Sequence, residues 1–308
     1  MKAIVLNRYG GPDVLDVADL PEPTVGPDSV LVRVRAAGVN PVDWKIREGR
    51  LEARFPSHFP IVPGWDLAGV VERVGPAVYE FAPGDEVVGY VREDHIQRGT
   101  YAELVAAPVR TVARKPGNLS WLQAAGLPLA GLTAYQTLHR ALRLAKGDTL
   151  LAYAAAGGVG SLAVQLAVGL GARVIGTASP GNHDFLRSLG AEPVAYGDGL
   201  ADRVRSLVSG GVDAVLDTVG GDTLAGSPDL LTPDGRLASI VDPAVKDLGG
   251  RYVFVRPDPA DLAALCELAE EGRLTVEVSQ VFPLERAAEA QALSQRGHTR
   301  GKLILEVA

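Results

Sequence analysis

The chain has 308 residues, which at roughly 150 residues per domain suggests about two domains. Hydrophobic residues make up 47% and charged residues 22%, ordinary globular usage that provides a buried core and argues against disorder. Lys+Arg number 30 against 37 Asp+Glu, a net charge of −7 with no basic run, so nucleic acid and anionic membrane surfaces are not expected partners. The lone Cys266 excludes a disulfide framework and any cysteine-cluster zinc or iron–sulfur site, and fits a reducing cytoplasm.

The apolar stretch Ala3–Leu6 is too short for a secretory signal. The first hundred residues read as an irregular antiparallel β domain. Its strands are Ala3–Leu6, Ser29–Ala36, Leu67–Val74 and Glu86–Val91, separated by Pro- and Gly-containing turns. From about Leu119 the pattern changes to helical Leu/Ala spacing over Trp121–Leu127 and Leu132–Leu142. Alternating units follow: strand Thr149–Ala154, helix Ser161–Leu170, strand Arg173–Thr177, helix Asp184–Leu189, then strands Ala214–Asp217 and Arg236–Val241. Such alternation marks βαβ units and a parallel sheet, so the fold class is α/β. Two amphipathic helices, Asp261–Glu271 and Leu284–Ser294, and a final strand Lys302–Val307 complete the chain. Asn118–His139 and Leu150–Ala172 are long enough to cross a membrane. Pro128 in the first and Gly157, Gly158 and Gly160 in the second favour buried soluble elements instead.

The segment Ala154–Gly160 lies between a predicted strand and a predicted helix. Glycines there let backbone amides approach a pyrophosphate, and the helix N-terminus adds unpaired N–H groups and a positive dipole end. Ala155 occupies the first position of the G-x-G-x-x-G fingerprint, leaving A-x-G-x-x-G at 155, 157 and 160. The next strand ends Thr177-Ala178-Ser179 with no acid until Asp184. The carboxylate that would hold an NAD ribose is therefore missing, while Ser179, Asn182, His183 and Arg187 are available to a 2′-phosphate. NADPH is the expected cofactor, a polar turn and helix start being the competing reading of those residues.

Several motifs occur in order. They are Gly38–Asp43, Pro63–Val71, Pro83–Val87, Gly99–Glu103, Leu132–Tyr135, the glycine loop and Thr299–Lys302. Together they resemble, end to end, the zinc-independent quinone oxidoreductases of zeta-crystallin type in the medium-chain dehydrogenase/reductase superfamily. The resemblance implies a GroES-like catalytic domain (1–120 and 255–308), a Rossmann domain (121–254), NADPH in the cleft and a homodimer. Arg251–Val255 is a candidate edge strand for pairing across that dimer.

Zinc-dependent members place Cys and Gly-His-Glu where this chain has Asn40 and Gly64-Trp65-Asp66, and the five histidines show no ligand spacing, so no metal is expected. Trp65 and Asp66 are then assigned to packing and turn roles. By resemblance, Asn40 and Thr133 lie near the nicotinamide, and Ala156, Gly157, Gly158, Val159 and Gly160 hold the pyrophosphate. Ser179 and His183 take the 2′-phosphate, Tyr196 the adenosine side, and Val219, Ile240, Phe254 and Val255 line the nicotinamide trough. Asn40 also reads as a turn residue in an Asn-Pro pair. Lys45 stands where many relatives carry Tyr, a pattern similar to alkenal/enone reductases, and reads either as a substrate or cofactor contact or as a surface lysine. Tyr153 replaces a His common before the glycine loop.

The expected reaction is hydride transfer from NADPH to a quinone, or alternatively to an α,β-unsaturated carbonyl, with Asn40 and Lys45 as the catalytic candidates. The cofactor carries the chemistry, so no catalytic triad is required. Binding of NADPH without turnover is a competing reading. So is a polyketide enoyl reductase, whose Lys position is Asn182 here.

Overall fold

Two units make up the computed structural model, which describes residues 1–307. One comprises Met1–Leu129 with the segment from Arg256 onward, the other Ala130–Val255.

The first unit opens with an antiparallel pair, β1 (Lys2–Val5) and β2 (Asp16–Asp19). β3 (Ser29–Val39) follows, an eleven-residue strand rich in Val and Ala that is buried along most of its length. A Pro-led turn of helix, α1 (Pro41–Arg47), leaves its end, because Pro41 suits the first helical position and lacks the N–H that would go unpaired there. β4 (Ser57–Val62), β5 (Asp66–Val74), β6 (Glu86–Tyr90), β7 (Ile96–Arg98), β8 (Leu104–Pro108), β9 (Val112–Arg114) and α2 (Trp121–Ala125) complete the N-terminal part. α3 (Pro128–Gln136) carries the chain onward, followed by a π-helical turn at Thr137–Ala141.

The second unit alternates strand and helix: β10 (Thr149–Ala152), α4 (Gly158–Gly169), β11 (Arg173–Ala178), α5 (His183–Ser188), β12 (Glu192–Ala195), α6 (Leu200–Leu207), β13 (Val212–Asp217), α7 (Gly221–Ala225), β14 (Leu231–Ser239) and β15 (Arg251–Tyr252). All five strand pairings are parallel, in the order β12-β11-β10-β13-β14-β15. This is the doubly wound dinucleotide-binding order, whose direction reverses between β10 and β13. The strands are apolar because helices cover such a sheet on both faces. Leu151, Tyr153, Ile175, Val215 and Leu237 belong to one buried cluster.

The chain returns to the first unit through α8 (Pro259–Glu270), β16 (Val278–Pro283), α9 (Ala287–Arg296) and β17 (Lys302–Glu306). There the main sheet runs β16-β17-β3-β5-β6-β9, with β8 also pairing with β3. Only β16 and β17 are parallel neighbours in it. α2 packs against β3, β5 and β17, and so belongs with this unit.

Several elements differ from sequence expectation. α4 begins at Gly158 rather than Ser161, so the last glycines form the first helical turn. Only Arg251 and Tyr252 of the expected edge strand pair, at the margin of the parallel sheet, because Val253 onward leaves the ladder after one bond to Ser239. The short β2, α1, β4, β7, β8, β9, β12 and β16 and helices α6 and α7 were not anticipated, since brief or irregular segments carry little periodicity. The two long apolar stretches are divided, one into α2 and α3, the other into β10, a loop and α4. Among the described residues no helix is long and apolar enough to cross a membrane.

Candidate active site

In the parallel-sheet unit, β10 ends at Ala152 and the chain turns into α4 through a loop with Ala154 in the left-handed region, at φ 45°. That conformation is costly for a residue with a Cβ and is held by β11. The Ala154 N–H donates to Thr177 Oγ1 at 3.0 Å, and the Ala155 N–H to the Thr177 carbonyl at 2.9 Å. Ala155 is fully buried and fits at the fingerprint's first position because Gly176 faces it. A Cβ on Gly176 would lie 2.8 Å from the Ala155 Cβ. A Cβ on Gly160 would lie 2.4 Å from the Ala154 carbonyl oxygen, so only glycine lets the helix approach the loop this closely. Gly157 is the N-cap and contributes no side chain, leaving the first N–H groups of a twelve-residue helix open toward an anion. The cradle therefore fits a dinucleotide pyrophosphate.

At the end of β11, Ser179 Oγ accepts a 3.2 Å hydrogen bond from Asn182 Nδ2, and His183 Nε2 lies 3.4 Å from the Ala178 carbonyl. Arg187 pairs with Asp184 at 2.6 Å on the surface, which occupies a guanidinium otherwise available to a phosphate. Tyr196 is 52% exposed, and Arg203 pins its loop through the carbonyls of Ala195, Tyr196, Gly197 and Asp198.

The loops carrying Val219 and Ile240 are organised by two residues that motif reading passed over. Asp217 is fully buried at the end of β13. Its Oδ1 accepts the N–H groups of Val219 and Gly220, both at 2.9 Å, and its Oδ2 accepts the Ser239 hydroxyl at 2.6 Å. Ser239 Oγ in turn accepts from Val241 and Asp242, and the Ile240 N–H donates to the Asp217 carbonyl. Val219 and Phe254 are left exposed and Val255 is buried. Thr133 is buried, and its carbonyl accepts the Thr137 hydroxyl at 2.6 Å. Tyr153 closes a hydroxyl pair with Ser227 at 3.1 Å, a packing role for the residue that replaces His.

In the first unit the register of β17, β3 and β5 gathers three polar residues. Asn40 N-caps α1, with its backbone N–H on Asp43 Oδ2 at 2.8 Å. Its Nδ2 donates to Asp66 Oδ2 at 2.9 Å, and its Oδ1 accepts from the Lys302 ammonium. Asp66 Oδ1 accepts the Leu129 N–H at 2.8 Å, and Lys302 Nζ lies 3.8 Å from Asp66 Oδ2. Asp66 is thus no turn residue. Fully buried at the start of β5, it would be an isolated charge without Lys302. Asn40 is a helix cap rather than an Asn-Pro turn.

Asp43 Oδ2 also accepts the Tyr101 hydroxyl at 2.8 Å, and Asp43 Oδ1 is buried with no hydrogen-bond partner among the described residues. Burial raises the Asp43 carboxyl to about 7 and Asp66 to about 6, in the second case against the pull of Lys302. It lowers Lys302, against the opposing carboxylates of Asp66 and Asp43. Trp65 packs edge-on against Phe55 and Tyr90, the packing role expected of it. Lys302, Asp43 and Tyr101 were all within the quoted motifs. The available signal was a charged residue at the head of an apolar strand, Lys302-Leu303-Ile304-Leu305.

Lys45 is half-buried near the end of α1, with its ammonium 5.5 Å from the Trp44 ring centre. Burial, and then the neighbouring Arg50 guanidinium, lower its pKa. Cys266 is buried and its thiol is pushed up to about 12, which removes it as a nucleophile. Among the described residues no group of three His, Cys, Asp or Glu side chains is placed to hold a metal. Asn40 and Trp65 offer no thiolate or imidazole, and Asp66 is committed to Asn40, Leu129 and Lys302, so this position does not fit zinc.

Residues 26–117 match the alcohol dehydrogenase GroES-like domain, and residues 189–305 match a family described as zinc-binding dehydrogenase. The chloroplast envelope quinone oxidoreductase homolog of Arabidopsis thaliana is 33% identical over 99% of this chain and 98% of its own length. The chain belongs to the zinc-independent quinone oxidoreductase family of the medium-chain dehydrogenase/reductase superfamily. The chloroplastic NADPH-dependent alkenal/one oxidoreductase of Arabidopsis thaliana is 36% identical over 99% of this chain and 79% of that protein. The solved quinone oxidoreductase of Coxiella burnetii superposes with a TM-score of 0.89 at 38% identity, covering 100% of this chain and 99% of that one. The chain is therefore an oxidoreductase that uses a nicotinamide cofactor and a small-molecule substrate, with a GroES-like and a Rossmann-type unit.

Proposed function

We propose that this oxidoreductase reduces quinones with NADPH, without zinc. The end of β11 carries this reading. It offers Ser179 and His183 to a 2′-phosphate and has no carboxylate where an NAD ribose would need one. In this reading the loop before α4 and its first turn, from Ala156 to Gly160, bind the pyrophosphate, and Tyr196 flanks the adenosine. Val219, Ile240, Phe254 and Val255, with Thr133, enclose the nicotinamide. A bound nicotinamide supplies the hydride. The chain's own residues bind, orient and stabilise charge, with the Asn40 side-chain amide donating to the oxygen that gains charge on the acceptor.

The enone reading has its own support in Lys45. A half-buried ammonium with a lowered pKa is a better proton donor than a solvated one, and saturating a carbon–carbon double bond requires a proton on carbon. The alkenal/one oxidoreductase among the relatives favours the same reading. We place the protein in the cytoplasm as a homodimer, a state supported by the position of β15 at the margin of the parallel sheet.

The test is nicotinamide absorbance against time, with NADPH or NADH and either an ortho-quinone or a small enal. Rapid NADPH-specific loss with the quinone is expected. Loss with the enal alone transfers the function to double-bond reduction. Tight NADPH binding with no turnover overturns both.

A further inference from the structure

An asparagine amide ordinarily turns over at little cost, because its oxygen and nitrogen are nearly the same size and only their partners distinguish them. Asn40 has partners of the strongest discriminating kind. Its oxygen faces the Lys302 ammonium, which can only donate, and its nitrogen faces the Asp66 carboxylate, which can only accept. Turning the amide over would set NH2 against ammonium and carbonyl against carboxylate. Asn40, Asp66 and Lys302 are all at most 4% exposed, so solvent does not soften either clash. The strand ladder sets this arrangement. Leu303 pairs with Val39 and Asp66 with Gly38, so β17 and β5 deliver Lys302 and Asp66 to the two sides of the residue that follows β3.

We infer that Lys302 and Asp66 form a charge pair that fixes the polarity of the Asn40 amide and so presents its second N–H, never its carbonyl, to the acceptor. Both are positioning residues that act through Asn40. This deepens the quinone and enone readings, and rests on them for the identity of the acceptor. It commits the site to acceptors whose oxygen gains negative charge. The other titratable groups facing the pair are Asp43, with Tyr101 on its Oδ2, and Tyr90, whose hydroxyl is buried and feels the charges of both Asp66 and Asp43.

The test compares Lys302→Met, Asp66→Asn and the double variant with the native protein. Each single change leaves one buried charge unpaired, so both Tm and kcat are expected to fall. The double variant carries no unpaired charge, and the amide that replaces the Asp66 carboxylate keeps its carbonyl on the Leu129 N–H and turns its NH2 toward Asn40, so the bias toward the native polarity is lost. It is expected to regain most of the lost Tm while kcat stays at least about tenfold down, with the KM for NADPH within about twofold of native. A kcat that returns together with Tm would show a purely structural pair and overturn the proposal.

A second readout needs no turnover. The chain has only Asn7, Asn40, Asn118 and Asn182, so asparagine-labelled protein gives four side-chain amide pairs, with Asn40 assigned by its loss in Asn40→Asp. A locked Asn40 shows two separate, slowly exchanging protons in the native protein and loses that protection in the double variant. Exchange in the native protein as fast as at Asn7 overturns the lock. Slow exchange in a protein that reduces neither acceptor class leaves the lock standing and sinks the functional reading instead.

Discussion

The hydroxyl of Ser239 donates to Asp217 Oδ2 at 2.6 Å, while the other carboxylate oxygen of Asp217 collects the N–H groups of Val219 and Gly220. One buried carboxylate thus joins the ends of β13 and β14 and shapes both following loops. Asp217→Asn replaces an acceptor with a donor and leaves a buried partner unsatisfied, at a cost of about 1–3 kcal/mol. We expect a lowered Tm and an approximately tenfold weaker Kd for NADPH, checked by fluorescence titration, the loss corresponding to ~1.4 kcal/mol of binding. Unchanged affinity would detach these loops from the cofactor.

The contact between Ala155 and Gly176 makes a second prediction. Gly176→Ala places a Cβ 2.8 Å from the Ala155 Cβ and 3.0 Å from Leu186 Cδ1, an overpacked core site. Such overpacking costs about 1–3 kcal/mol. Ala155→Gly removes one of the two colliding methyl groups, so the double variant should regain at least half of the lost stability in a denaturant titration. Strict additivity of the two changes would show that they do not meet.

Cofactor choice is open to a charge test. Ser179→Asp restores a carboxylate at the end of β11, where it repels a 2′-phosphate and can accept from a ribose hydroxyl. The ratio of kcat/KM for NADPH over NADH should fall by at least about tenfold, or ~1.4 kcal/mol. A ratio that does not move would place the 2′-phosphate elsewhere.

Stability should depend on pH through Asp43. Burial raises this carboxyl from its ordinary 3.8 to about 7, so between those values the folded protein holds a proton that the unfolded chain releases. That contribution is complete below the unfolded value and is lost as pH rises through about 7. Asp66, raised to about 6, acts with the same sign. Tm should therefore decline from pH 5.5 to pH 8, pH values chosen to lie roughly either side of those two titrations. Asp43→Asn keeps an acceptor for Tyr101 and for the Asn40 N–H, and should flatten the decline. An equally steep decline in that variant would assign the effect to other groups.

The family, the α/β class and the glycine cradle were legible in the linear order of the chain. Those features arise from local rules: strand–glycine–helix spacing, apolar runs in covered parallel strands, and the missing carboxylate after β11. Trp65 was read correctly as packing by the same means. Asp66 was not, because a lone Asp between Trp65 and Leu67 carries no mark of the ammonium waiting for it. That partner, Lys302, lies more than two hundred residues further along, and only the antiparallel pairing of β17 with β3 beside β5 brings them together. Asp217 and Ser239 likewise meet only because β13 and β14 are neighbours in the sheet. Local sequence determined where the glycine loop between β10 and α4 would form. Sheet register, which sums many distant backbone pairings, decided which buried charges would face one another and which way Asn40 points.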